Sequence, residues 1–201
     1  MSNPKPDDEL FMRRLERNVP FDPPAHDPLE GQKRAALAAL RRGLGKEPGE
    51  VAETSRVVMG ALPDGVKPWQ EPSFYLVASL FGLYPRPWHG NAERLHLGGS
   101  LSRLRAASES EGPERRMVAL LNASSRDLSD HLRYAVSLLK TKDIALDWAQ
   151  LLRDIQDWDL PDHRVQRDWA RAFWAGTTTD PLPERQGGME QPRPDDALPT
   201  A

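Results

Sequence analysis

Apolar residues along this 201-residue chain recur at the spacing of helices, with no stretch in which β-branched and polar residues alternate over strand length. The strongest run follows Asp127, where Leu128, Leu132, Ala135, Val136 and Leu139 fall at i, i+4, i+7, i+8 and i+11. That spacing gathers all five on one helical face. Ser73 is placed as an N-cap for a helix whose apolar face is Phe74, Val77, Ala78 and Phe81 and which stops at Gly82. Pro113 sits in the first turn of a helix that turns Met117, Leu120 and Leu121 inward. Asp147 is an N-cap for a helix carrying Trp148, Leu151, Leu152, Ile155 and Trp158, and Pro161 opens a last helix with Val165, Trp169 and Phe173 at i, i+4 and i+8.

Weaker patterns fill the remainder. A short helix is expected at about 8–17, an alanine-rich one with Ala36, Leu37 and Leu40 at about 29–43, and short segments at 49–60 and 97–107. Gly43 and Gly45 end the alanine-rich helix. The expectation is an all-α chain, a compact multi-helix bundle.

Proline marks the organisation. Of nineteen prolines, six fall in 1–28 and five in 177–201. Residues 1–28 read as an N-terminal helix and a Pro-rich connector, and 29–176 as the helical domain. The segment 177–201 is rich in Pro, Thr, Gly and acidic groups, with almost no large apolar residue. Such a segment cannot offset its own ordering entropy, so a disordered C-terminal tail is expected.

There is no cysteine, which excludes disulfides, cysteine-zinc sites and thiol nucleophiles. The first fourteen residues lack the apolar stretch of a leader, and no run approaches a membrane span. A cytoplasmic protein with no membrane partner is the expectation. The five histidines are scattered without zinc or HExxH spacing, and there is no GxSxG. Gly43-Leu-Gly45 lacks the lysine and hydroxyl of a phosphate loop. Asp162-His163 superficially matches a metal-phosphohydrolase dipeptide without the partner residues, and belongs in the first turn of the last helix. Asp154 and Asp157 could hold magnesium, as in a helical nuclease, but fit the solvated face of an amphipathic helix better. No enzyme, no cofactor and no metal are expected.

Charge changes the picture. The net charge is −3, yet residues 29–140 hold sixteen Lys/Arg against twelve Asp/Glu, whereas 141–201 hold seven against twelve. Between Lys67 and Lys140 every basic residue is arginine: Arg86, Arg94, Arg103, Arg105, Arg115, Arg116, Arg126 and Arg133. Arginine offers a planar fork of donors suited to phosphate, where lysine offers a hydrated point charge. GC-rich codon usage gives the same bias, so the pattern alone leaves both readings open. Trp148, Trp158 and Trp169 keep the apolar period of their helices and are expected in the core. Trp69 and Trp88, in proline-flanked loops, are candidate partner contacts.

An ordered set of segments then carries a resemblance. These are Ala39-Leu-Arg-Arg-Gly-Leu-Gly45, Ser73-Phe-Tyr-Leu-Val-Ala-Ser-Leu-Phe81, Leu97-Gly-Gly-Ser-Leu-Ser-Arg-Leu104, Glu114-Arg-Arg-Met-Val-Ala-Leu-Leu121, Leu146-Asp-Trp148, and Trp169-Ala-Arg-Ala-Phe173. Together, over about 8–176, the chain resembles the small subunit (CasB family) of the type I-E CRISPR surveillance complex, Cascade. The resemblance implies a non-catalytic subunit. Its partners would be the repeated backbone subunit, the large PAM-reading subunit and a second copy of itself. Its ligands would be the crRNA-guided target DNA and the displaced strand, gripped to stabilise the R-loop.

The arginines expected to contact nucleic acid are Arg41, Arg42, Arg103, Arg105, Arg115, Arg116, Arg126 and Arg133. Arg115 and Arg116 diverge by about 100° around a helix, so one is expected to face DNA while the other pairs with Glu111 or Glu114. Arg153, Arg167 and Arg171, among acids, are assigned to structural pairs or subunit contacts. The alternative is a helical adaptor that bridges protein subunits without touching nucleic acid.

Overall fold

The helix Glu71–Leu83 (α4) buries residues around nearly its whole circumference: Phe74, Tyr75, Val77, Ala78, Ser79, Leu80, Phe81 and Gly82. A helix apolar on all sides belongs in the middle of a fold, and the rest of the chain is arranged about it. The computed structural model describes residues 6–19, 29–88, 95–108 and 110–175. Nine helices and no β-strand lie among them. The others are α1 (Pro6–Asn18), α2 (Glu30–Arg42), α3 (Ala52–Met59), α5 (Leu97–Ala106), α6 (Gly112–Leu121), α7 (Leu128–Thr141), α8 (Trp148–Gln156) and α9 (Arg164–Trp174). The connector at 20–28 and the tail from 176 onward, including the expected disordered segment, lie outside the described residues, as does Arg94.

On one side α4 meets α2 and α3; on the other it meets α7 and α8. Beyond α7, the helices α5, α6 and α9 form a second layer, while α1 covers α8. Phe11, Met12, Leu15 and Val19 of the α1 region enter the same core as Leu132, Leu151 and Trp169. Trp148, Trp158 and Trp169 are all buried, as their spacing predicts. Each has its indole N–H satisfied, for Trp148 by the Arg86 carbonyl (3.1 Å) and for Trp158 by that of Ala123 (3.2 Å).

Glycine permits two close helix crossings. A methyl group on Gly82 would meet Leu40 Cβ at 2.5 Å, so α2 and α4 touch backbone to backbone there. On Gly98 it would meet the Trp169 carbonyl oxygen at 2.1 Å, which fixes α5 against α9.

Two helix starts differ from expectation. Helix α4 begins at Glu71, because Pro72 suits a first turn that needs no N–H, and Ser73 lies inside it with its hydroxyl donating to the Gln70 carbonyl (2.7 Å). The last helix begins at Arg164 rather than Pro161, since His163 takes a left-handed conformation (φ 49°) and breaks the run. Asp147 caps α8 as expected, its carboxylate accepting from the Gln150 backbone N–H at 2.8 Å.

Candidate nucleic-acid interface

Arg103 and Arg105 lie in the last turn of α5, Arg115 and Arg116 just past the proline that opens α6, Arg126 in the turn that follows, and Arg133 on α7. Because α5, α6 and α7 pack against one another, these six are carried on one three-helix unit. Arg41 and Arg42 end α2, which packs against α3 and α4 instead. The sequence candidates thus divide into a group of six and a separate pair.

Within the group, three side chains are held by the fold itself. The Arg103 guanidinium lies over the Trp88 ring at 4.2 Å, that of Arg105 over Phe173 at 4.6 Å, and that of Arg116 over Tyr134 at 4.9 Å. Arg105 also donates to the Phe173 carbonyl (3.3 Å), tying α5 to α9. A guanidinium on a ring keeps its charge and buries part of its plane. Arg41, though exposed, donates through Nε to the Gly82 carbonyl at 2.7 Å and so closes the α2–α4 crossing.

Arg42, Arg115, Arg126 and Arg133 remain exposed and make no ion pair among the described residues. The expected pairing of Arg115 or Arg116 with Glu111 or Glu114 does not occur: Arg116 sits at the edge of α6 facing α7 and takes the Tyr134 ring instead. Downstream, Arg167 and Arg171 lie against acids as expected, and so does Arg164. Arg164 pairs with Asp157 at 2.7 Å and Arg171 with Asp168 at 3.3 Å, while Arg167 lies 4.0 Å from Asp162. Arg86 pairs with Asp143 at 3.1 Å, at the point where a single parallel bridge joins Pro87 to Leu146. Among the described residues Arg13, Arg17 and Arg56 are likewise exposed without an ion pair, so lack of a partner is not peculiar to α6, α7 and the end of α2; Arg115, Arg126 and Arg133 are the ones carried together on the α5–α7 unit.

Sequence reasoning misplaced Asp154. Instead of a solvated helix face it occupies the interior, only 4% exposed. Its carboxylate accepts from the Gln150 side-chain amide (2.7 Å) and the Trp169 indole N–H (2.6 Å), and His96 Nδ1 lies 3.3 Å away. The hydrogen bond to Asp154 raises the His96 pKa above the usual histidine value, with burial opposing. Both faces of α8 are covered, because α1 lies on its polar side, where Gln156 donates to the buried Asp8 at 3.2 Å. Arg153, also buried, donates to the Gln150 side-chain carbonyl at 3.0 Å.

Asp154 is thus committed to protein donors and Asp157 to Arg164, and the two do not converge on a common site. A clue existed in the i, i+4 pair Gln150 and Asp154 beside a tryptophan-rich helix. It is legible only once Trp169 is known to face α8.

This geometry belongs to a recognisable set of proteins. The family model described as CRISPR-associated protein Cse2 matches residues 36–174. The CRISPR-associated protein Cse2 of Thermus thermophilus is 33% identical over 159 residues, which span 76% of this chain and 87% of that protein. The crystal structure of a Cse2-family CRISPR-associated protein from the same species superposes with a TM-score of 0.66 at 31% identity, covering 84% of this chain and 97% of that one. A chain of a CRISPR RNA-guided surveillance complex shares the fold, with a TM-score of 0.63 at 24% identity over 84% of this chain and 92% of its own. With more than half its length matched by the family model and a relative above 30% identity, this chain belongs to the CRISPR-associated Cse2 family.

Proposed function

We propose that the chain is a non-catalytic subunit of a Cascade surveillance complex that grips the target and displaced DNA strands by their phosphates and so stabilises the R-loop. The observation that carries this reading is the set of exposed arginines without ion-pair partners among the described residues, Arg115 on α6, Arg133 on α7 and Arg126 in the turn between them, with Arg42 apart, on a Cse2-family fold. The arginines that fasten this fold are paired with acids, laid on rings or hydrogen-bonded to backbone carbonyls; among the described residues these four do none of these.

Opening a duplex against a guide is a nearly balanced exchange of one set of base pairs for another, so a few sequence-blind contacts suffice to tip it. Phosphate contacts act through counterion release, fix the path of a strand and read no bases. Arg103, Arg105 and Arg116 add positive potential beside the contacts while their rings hold them in place. The neighbours in this reading are the repeated backbone subunit, the large PAM-reading subunit and a second copy of the chain.

The test is charge reversal of Arg115, Arg126 and Arg133 together, followed by R-loop formation in the assembled complex over a salt series. Target binding is expected to weaken, and the slope of log affinity against log salt to fall by about 0.7–0.9 for each phosphate no longer engaged. Unchanged binding and slope reject the assignment.

A second reading, an adaptor that bridges subunits without touching nucleic acid, draws on Trp69, 76% exposed between Pro68 and Pro72. It is favoured if Trp69→Ala blocks assembly while the triple reversal leaves strand binding intact.

A further inference from the structure

Tyr134 occupies an unusual position. It is two residues from both Leu132 and Val136, so it points about 200° around α7 from each of these core residues. It is accordingly 56% exposed. A single exposed aromatic residue is ordinary on a protein surface. What distinguishes this one is the Arg116 guanidinium over its ring, reached from a different helix. Arg116 Nε is withdrawn from solvent and has no hydrogen-bond partner, so the ring is what holds the group in place.

The other two ring-stacked arginines differ. Phe173, under Arg105, is fully buried, and Trp88, under Arg103, is half-buried with its backbone N–H donating to the Leu146 carbonyl at 3.0 Å. Those two stacks fasten the fold. Among the described residues, only at Tyr134 is a cation-backed ring left open to solvent, beside the exposed Arg133.

We propose that the Arg116–Tyr134 pair is a stacking platform for an unpaired base of a single nucleic-acid strand, with Arg133 placed for an adjoining phosphate. This rests on the strand-binding reading above and adds contact with bases to contact with phosphates. Every base has a π-face, so aromatic stacking beside cations retains a single strand without reading its sequence. A duplex keeps its bases stacked on one another and cannot use the platform. The guanidinium behind the ring draws on its electron density and offers positive charge to the same nucleotide. Asp130, exposed one turn before Tyr134, repels a phosphate at that point, and Asp130→Asn is expected to tighten single-strand binding.

The experiment uses the full chain, a thymidine oligonucleotide carrying one 2-aminopurine, and a duplex of the same length, at low salt. The wild type is expected to quench the 2-aminopurine emission. Tyr134→Ala is expected to lose the quenching and weaken single-strand affinity about tenfold, the scale of one stacked base, with duplex affinity unchanged and the melting temperature lowered by only a few degrees. Tyr134→Phe keeps the ring and is expected to behave as wild type.

Equal loss of single-strand and duplex affinity in Tyr134→Ala overturns the inference, as does a Tyr134→Phe defect matching that of alanine. If Tyr134→Ala binds strands normally but fails to enter the assembly, the ring is a protein contact and the inference is wrong. If reversal of Arg115, Arg126 and Arg133 abolishes strand binding while Tyr134→Ala does not, the platform falls and the phosphate-grip reading stands. A wild-type chain that binds neither strand nor duplex rejects both.

Discussion

Two polar regions of this molecule, the Asp154 network beneath α5 and α9 and the arginine set on α6 and α7, obey opposite rules. Inside, a carboxylate is surrounded by donors from α8, α9 and the start of α5, and two of its hydrogen bonds are 2.7 Å or shorter. Outside, Arg115, Arg126 and Arg133 make no ion pair among the described residues. Burial explains the difference. A charge removed from water must find compensating dipoles or the fold does not form, whereas an exposed charge is solvated and need not be paired. Charge that the fold does not require is free to serve a partner.

The comparison is broken most severely at the crossing that assembles the interior network. In Gly98→Val, side-chain atoms would collide with the Trp169 backbone, which cannot yield as a flexible side chain does. We expect a loss of about 3 kcal/mol or more and a chain that fails to melt cooperatively by circular dichroism. Gly99→Ala, next to it, meets only the end of the Leu95 side chain (2.8 Å) and should cost far less.

Next comes the carboxylate itself. Asp154→Leu strands the Trp169 indole N–H and the Gln150 amide, and denaturant titration should register a loss of about 2–4 kcal/mol. Asp154→Asn retains one acceptor oxygen and should fall between this variant and wild type.

The pH dependence is smaller. Because Asp154 raises the His96 pKa, the protonated histidine is favoured by folding. That stabilisation is complete below the unfolded-state value of about 6.5 and is lost as pH rises through the folded-state value. The melting temperature should therefore drop between about pH 6 and pH 8 by more in the wild type than in His96→Gln. Equal slopes would mean that folding does not shift the histidine's pKa.

Removing the ring contact in Arg116→Ala should cost about 0.5–1 kcal/mol. Reversing Arg115, Arg126 and Arg133 to glutamate should move the melting temperature least of all, because these exposed side chains make no ion pair among the described residues for the fold to lose. The same triple variant should be the one most impaired in strand binding. A large loss of stability in it would place these arginines with the interior network and against a role in contact.

Much of this was open to inspection in the chain. The five-residue apolar stripe from Leu128 to Leu139 is the buried face of α7, the period of Val165, Trp169 and Phe173 is that of α9, and Asp147 caps α8. These are local facts: periodicity and capping act between residues a few positions apart. Helix starts at prolines were less secure, because a proline fits either a first turn, as Pro72 does, or the bend before one, as Pro161 does.

The sequence by itself determined the helical class, the apolar faces and the set of candidate arginines, since each depends on residue type and short-range spacing. Only the tertiary structure decided which charges are buried and which remain outside. Asp154 went inward because Trp169, fifteen residues away, brings a donor to it, and α8 loses its solvated face because α1 comes from the far end of the chain to cover it. Likewise Arg116 and Tyr134 meet because α6 and α7 pack together, and nothing in their separate helices foretells the contact. Burial and long-range pairing are properties of the packed whole, and they separate the arginines that hold this fold together from those left exposed.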